Sequence, residues 1–316
     1  MATMERLEEF RFFYNHTIYP ELLRMERQRL RLVALLGLSF VLLAGMIVFE
    51  LYLDILVVTL VLTIPHVAFI GFLLWQIRRF RQTFKPNVVD LLLDFIDNGP
   101  NFDANFPLSY ESEGGLSKSD FLQSGIFVTQ GQYYSSEDAI KGRIGEIEFK
   151  LCELNVKEIS PVRNDLDDVF KGVFLHAKFT APIKGRMIVW PREQRQYLTR
   201  AIKQFTSEKY KGVNADHEIN NPAFKELWMT YATPNTHVEG ILPDPMQEAI
   251  VRYYRQTQKN IYFSFHNQDF YVAITQPKDL LEPFILRSNL SYDLVLEFMR
   301  DINLVLRIVH EFDQKI

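Results

Sequence analysis

The densest set of side chains able to do chemistry is Asp216-His217-Glu218, and two further histidines, His237 and His266, each follow an apolar run. Imidazole and carboxylate are the usual zinc ligands and the usual proton carriers near neutral pH. Adjacent positions converge on one metal only in a loop, and a further ligand has to come from elsewhere. The trio therefore reads first as a solvated loop. Asp216, His217, Glu218 and His237 stand as weak metal candidates, with His237 and His266 at the end of one sheet. Asn164-Asp165-Leu166-Asp167-Asp168 lacks the glycine and distal glutamate of a calcium loop and reads as a turn. Gly142-Arg143-Ile144-Gly145 has the form of an RNA-binding GxxG loop but sits between strand candidates. Cys152, the single cysteine, lies among Leu151 and Leu154 and reads as packed. The sequence shows no phosphate-cradling glycine loop, HExxH, paired CxxC, nucleophile elbow or kinase signature. No catalytic residue and no cofactor are assigned.

The elements that must position these residues mix two periodicities. Alternation over Arg143 to Val156, Val169 to Phe179 and Arg186 to Trp190 predicts strands, and a helix follows over about 192–210. Phe224 to Tyr231 also reads as a strand. Asp244-Pro245-Met246-Gln247 opens a helix, with a cap, proline at the first position and Met246, Ala249, Ile250 and Tyr253 inward. Ile261 to His266 and Phe270 to Thr275 flank Asn267-Gln268-Asp269 and predict a hairpin. Its Ile261, Phe263 and Phe265 face a core, and Tyr262, His266 and Tyr271 face the other way as a candidate interaction surface. Val295, Phe298, Met299, Ile302, Val305, Leu306, Val309 and Phe312 make the stripe of a last amphipathic helix.

The N-terminal region is of another kind. Leu32 to Phe49 is 18 residues without a charge and Ile55 to Ile77 is 23, separated by Glu50 to Asp54. A helix needs roughly 20 apolar residues to cross a bilayer. The block 32–77 therefore predicts a transmembrane hairpin with spans of about 32–49 and 55–77. Arg24, Arg27, Arg29 and Arg31 precede it, and Arg78, Arg79, Arg81 and Lys85 follow it as a basic collar over 78–86. By the positive-inside rule both flanks, and so both termini, are cytoplasmic. Upstream, Leu7, Phe10, Tyr14 and Ile18 recur at helical spacing within the juxtamembrane segment 1–31. Pro20 interrupts or restarts that helix, and Asn87 caps a short helix carrying Leu91, Leu92, Phe95 and Ile96.

The net charge of −4 over 316 residues hides a split. Residues 87–316 carry about −7, which opposes non-specific nucleic-acid binding. Twenty-six Phe and 14 Tyr oppose disorder. A fold class follows: an α+β cytoplasmic domain over 87–316, of mixed, mainly antiparallel strands and helices, attached to an N-terminal two-helix transmembrane hairpin. Two halves, about 121–210 and 224–316, are allowed by the pattern.

One resemblance adds to this. The GRIGEIEF segment at Gly142 to Phe149 and Val169-Phe170-Lys171-Gly172-Val173-Phe174 resemble a bacterial membrane-protein family known as a domain of unknown function, numbered 3137. So do Lys184-Gly185-Arg186 with the strand to Trp190-Pro191, Leu227-Trp228-Met229-Thr230-Tyr231, and Asp279-Leu280-Leu281-Glu282-Pro283-Phe284. The resemblance implies an architecture and no activity. It also implies a LemA-type membrane protein as partner and the bacterial inner membrane as location. The expected function is a membrane-anchored cytoplasmic binding or scaffolding module in contact with the lipid bilayer, with an oligomer allowed. The alternative is a membrane-bound enzyme or small-ligand sensor with a non-standard site.

Overall fold

The computed structural model describes residues 2–53, 56–98, 106–160, 165–278 and 281–313. The chain divides into two compact units, residues 1–95 with 280–298, and residues 96–279 with 299–316.

The first unit is helical. It holds α1 (Ala2–Phe13), a π-helical turn (Tyr14–Ile18), α2 (Tyr19–Leu53) and α3 (Leu56–Asp97). Phe10, Tyr14 and Ile18 are buried, as their spacing predicts. Pro20 does not interrupt the helix. A proline cannot donate to the carbonyl four residues back and crowds it. Here the turn ahead of it widens, with Tyr19 N–H reaching Tyr14 O, and absorbs the mismatch. Likewise Pro65 and Pro86 both lie inside α3. Asn87 therefore caps no separate helix, because the buried run Phe84, Val88, Val89, Leu92 and Leu93 carries α3 straight past Pro86. The expected loop at Glu50 to Asp54 falls largely outside the described side chains.

The second unit carries a seven-stranded antiparallel sheet. Its elements are β1 (Ser109–Glu111), α4 (Lys118–Gln123), β2 (Tyr133–Ile144), β3 (Ile147–Ile159) and β4 (Leu166–Pro191). Then come α5 (Thr199–Phe205), β5 (Val213–Asn214), α6 (Pro222–Leu227), β6 (Trp228–Ala232), α7 (Val238–Ile241), α8 (Asp244–Thr257) and β7 (Ile261–Thr275). The last helix, α9, spans Tyr292–Asp313. The strand order is β1-β2-β3-β4-β6-β5, with β7 pairing β4. β4 is the spine: β7 runs along nearly its whole length, while β3 pairs its first half and β6 its last five residues.

Several expectations need correction. The hairpin at Asn267 to Asp269 does not form, and β7 is one continuous strand. Asn267 has φ of 56°, a turn-like value, and it serves a bend in which β4 and β7 shift register together between Lys178 and Arg186. For the same reason the two predicted strands of 169–179 and 186–190 are one strand. The helix over 192–210 shrinks to a 3-10 turn at Arg192–Gln194 and the short α5. Phe224 to Leu227 is helical because Asn221 caps α6 with its side chain and Pro222 opens it, so the strand starts at Trp228.

Glycines of the quoted motifs sit where no side chain fits. A Cβ on Gly172 would lie 2.0 Å from Ile274 O, and one on Gly185 2.1 Å from Thr236 Oγ1. Gly145, with φ of 56°, begins the two-residue turn between Ile144 and Ile147.

Candidate functional site

One face of the sheet carries the core of Cys152, Leu154, Phe174, Ile188, Trp190, Tyr262, Tyr271 and Ala273. Residues 116–127 and α5 pack onto it through Leu116, Phe121, Ile126, Phe127, Leu198, Ala201 and Phe205. Trp190 Nε1 donates to Ile126 O at 2.9 Å, and Ser264 Oγ donates to Ser124 O. Tyr262 and Tyr271 share this face, as alternation predicts, but they form no outward surface. They are 4% and 0% exposed, because this cover closes over them. Tyr262 meets Phe127 with ring centroids 5.0 Å apart, and Tyr271 stacks on His176 at 4.6 Å.

The cover leaves a cavity of about 270 Å³ lined by residues including Arg186, His266, Tyr210, Gln123 and Gln204. Arg186 and His266 face each other across β4 and β7 in register. Arg186, Ile188 and Trp190 alternate onto the same face, so the strand delivers a guanidinium next to a packed core. The Arg186 guanidinium lies 4.8 Å from the Tyr210 ring centre. Burial pushes the Tyr210 phenol up, and the cations of Lys209 and Arg186 outweigh it and hold it below its ordinary value. Burial pushes the His266 imidazole down, and Arg186 adds to that against Asp269, so the ring is neutral near pH 7. Arg186 Nε and His266 Nδ1 are both shielded from solvent and meet no hydrogen-bond partner in the protein. Arg186 and Tyr210 do not stand out in the sequence. The available signal was the parity of Arg186 with Ile188 and Trp190, which sets a cation on a buried face.

A second, open cleft of about 500 Å³ lies on the same face of the sheet. Two register rows build it, Lys141–Lys150–His176–Tyr271 and Arg143–Glu148–Lys178–Asp269. Its charges are mostly spent within the fold. Lys141 pairs with Glu111 at 2.6 Å, Lys150 donates to Gly115 O, and His176 pairs with Asp269 at 2.7 Å.

The metal candidates are not brought together. Asp216 accepts from Thr230 N and Arg192 Nη2, both at 2.7 Å, and from Asn214 Nδ2 at 3.1 Å. Its carboxylate is engaged in closing a loop. Burial pushes this carboxyl up, but those three donors hold it below its ordinary value. The His217 side chain is 74% exposed, 3.9 Å from Glu218. His237 is exposed ahead of α7. Among the described residues no three His, Cys, Asp or Glu form a group that could hold a metal ion.

In the first unit, the basic flanks divide into two sets. Arg24, Arg27, Arg31, Arg78, Arg79 and Arg81 are exposed. Arg29 and Lys85 are each 5% exposed. Arg29 binds Glu26 through two hydrogen bonds and donates to Ile285 O at 2.6 Å. Glu26 in turn accepts from Asn289 N, and Lys85 lies 3.5 Å from Glu282. These two cations therefore fasten the segment 281–289 to α2 and α3 and do not belong to an outward collar. His66 Nε2 donates to Ser39 O at 2.8 Å, which joins α3 to α2.

Comparison with known proteins adds little beyond the domain itself. No curated protein matches the chain. Among solved structures, the crystal structure of the mycobacterial trehalose monomycolate transport factor A, TtfA, aligns at 10% identity, covering 64% of this chain and 88% of that one. Its TM-score is 0.28, too low to carry an argument. Residues 168–314 match the model of a family described as a protein of unknown function, DUF3137. The match includes the Gly172, Gly185, Trp190 and Trp228 motifs and leaves out the GRIGEIEF segment. Residues 168–314 thus match the model of the family whose motifs this sequence resembles.

Proposed function

We propose that this protein is a membrane-anchored binding module. One observation carries the reading. Two helices are long and apolar enough to cross a membrane, and their most apolar windows are each only 11% buried. A core helix of a water-soluble domain buries its apolar stripe. Here Leu38, Phe40, Val41, Val48, Val61, Ile64 and Phe72 are left outward, and lipid is the medium that rewards that exposure. The six exposed arginines at the two flanks favour the cytoplasmic side for both, in the inner membrane of a bacterium. The sheet unit then works from the cytoplasmic face, and anchoring concentrates its binding surface there. A LemA-type membrane protein is the first partner to test, and the net negative charge of residues 87–316 argues against nucleic acid.

The test is alkaline carbonate extraction of membranes containing the full chain. It is combined with labelling of a Tyr52→Cys, Cys152→Ser variant by a membrane-impermeant maleimide in intact spheroplasts. Retention in the membrane pellet and labelling of Tyr52→Cys from outside are expected. Release by carbonate defeats the anchor, and protection of position 52 with retention reverses the orientation. Affinity purification of the full chain from mild detergent reads the partner.

A further inference from the structure

We propose that the cavity floored by Arg186 and His266 binds a small organic anion, a carboxylate or a phosphate monoester with a compact apolar body. This goes beyond the anchoring function and does not depend on it. The sign of the ligand comes from Arg186. Arg186 is half-buried, and a partly desolvated guanidinium is normally set beside a carboxylate, because a charge that has lost part of its water without a partner is costly. No carboxylate lines this cavity. Asp269 is paired with His176 at 2.7 Å, and Asp120 accepts from Ser117 at 2.8 Å. The guanidinium instead lies against the Tyr210 ring, an arrangement that leaves its full charge in place.

The shape of the ligand comes from the rest of the lining. Two polar atoms, Arg186 Nε and His266 Nδ1, are shielded and unmet by any protein group. They sit on register-paired residues of β4 and β7, which sets the guanidinium and the imidazole side by side on the cavity floor. Gln123 and Gln204 add amides, while Leu122, Ile188 and Phe205 supply apolar wall for the body. The volume of about 270 Å³ excludes nucleotides and long acyl chains and suits a compact molecule. In the open cleft on the same sheet, by contrast, Lys141, Lys150 and His176 already have partners within the fold.

The test is calorimetric titration of the full-length protein in detergent with three probes: benzoate, phenyl phosphate and the neutral benzamide. One or both anions should bind, at least about 10-fold more tightly than benzamide, and which of the two binds separates carboxylate from phosphate. Arg186→Gln should weaken anion binding by about 10- to 100-fold. Leu122→Glu, at the 37% exposed rim, should weaken the same anions several-fold with an unchanged thermal midpoint. It keeps the proposal testable if Arg186→Gln fails to fold. Binding of benzamide equal to the anions overturns the proposal. So does unchanged binding in the folded Arg186→Gln or in Leu122→Glu, and so does no binding of any probe.

Discussion

Lys259 Nζ lies 2.6 Å from Asp301 Oδ2, and both side chains are almost wholly removed from solvent. Tyr253 OH donates to the other carboxylate oxygen at 2.6 Å, so α8 and Lys259, two residues past its end, reach Asp301 of α9 through two charge-assisted bonds. Removing one partner leaves an uncompensated buried charge. Lys259→Met should therefore cost about 3–5 kcal/mol. The double variant Lys259→Met, Asp301→Leu should recover most of that loss. Chemical denaturation of the two variants measures it, and a double variant no more stable than the single would contradict a charge-burial origin.

Cys152 packs between β2 and β4, with Ser136 Oγ at 3.5 Å and Phe174 O at 3.7 Å. Burial pushes its thiol up to about 11. The thiolate is the reactive form. Near pH 8 the native protein should react with a disulfide-exchange reagent at least about 100-fold more slowly than the urea-unfolded chain. Equal rates would mean the sheet opens readily around β3.

At Gly172 of β4 a Cβ would meet the β7 backbone, and its φ of 154° is one that side chains seldom adopt. Gly172→Ala forces a methyl against the backbone carbonyl of Ile274. A loss of about 2–4 kcal/mol is expected, seen as a lower thermal midpoint. An unchanged midpoint would show that the register can shift at no cost.

The Asp216 clamp has a pH signature. Its folded carboxyl titrates below the unfolded one, so its stabilisation is complete above the ordinary carboxylate range and fades as pH falls through it. Asp216→Asn lacks that component. The gap in urea midpoint between wild type and Asp216→Asn should be widest near about pH 6 and narrow towards about pH 3. A gap that widens on acidification would reverse the sign and place the stabilisation elsewhere.

Much of this architecture is written in local periodicity. The stripe of α9 from Val295 to Val309 is buried as read, while α8 begins one residue ahead of the reading: Pro243 is its N-cap, no side chain caps it, and Asp244 is already helical. Alternation in β3 holds from Ile147 to Leu151 and is lost over Leu151 to Leu154, where both faces are covered. What the sequence concealed was long-range pairing. Asn267-Gln268-Asp269 has the composition of a turn, and only the partner strand β4, bent at the same level, makes it the kink of one long strand. Pro20 and Pro86 look like breaks, yet packing overrides propensity. The parity of Tyr262, His266 and Tyr271 was legible. That residues 116–127 would cover them was not, because that segment has few regular elements to announce it. Arg29 and Lys85 look like the other basic flanking residues, and only the return of 281–289 to α2 and α3 separates them from the set.

The pairing of β4 with β7 joins residues 74 to 103 apart in the chain. During synthesis, then, the spine of the sheet is made long before its neighbour exists. Loop closure over such a distance slows folding. Until Ile261 to Thr275 emerge, one side of β4 presents unpaired backbone and the apolar row Phe174, Leu175, Ile188 and Val189. Such an edge is a template for association with other chains. Nascent chains therefore pass through a vulnerable interval that ends only near the C-terminus, and a chain cut short before Ile261 should collect in aggregates.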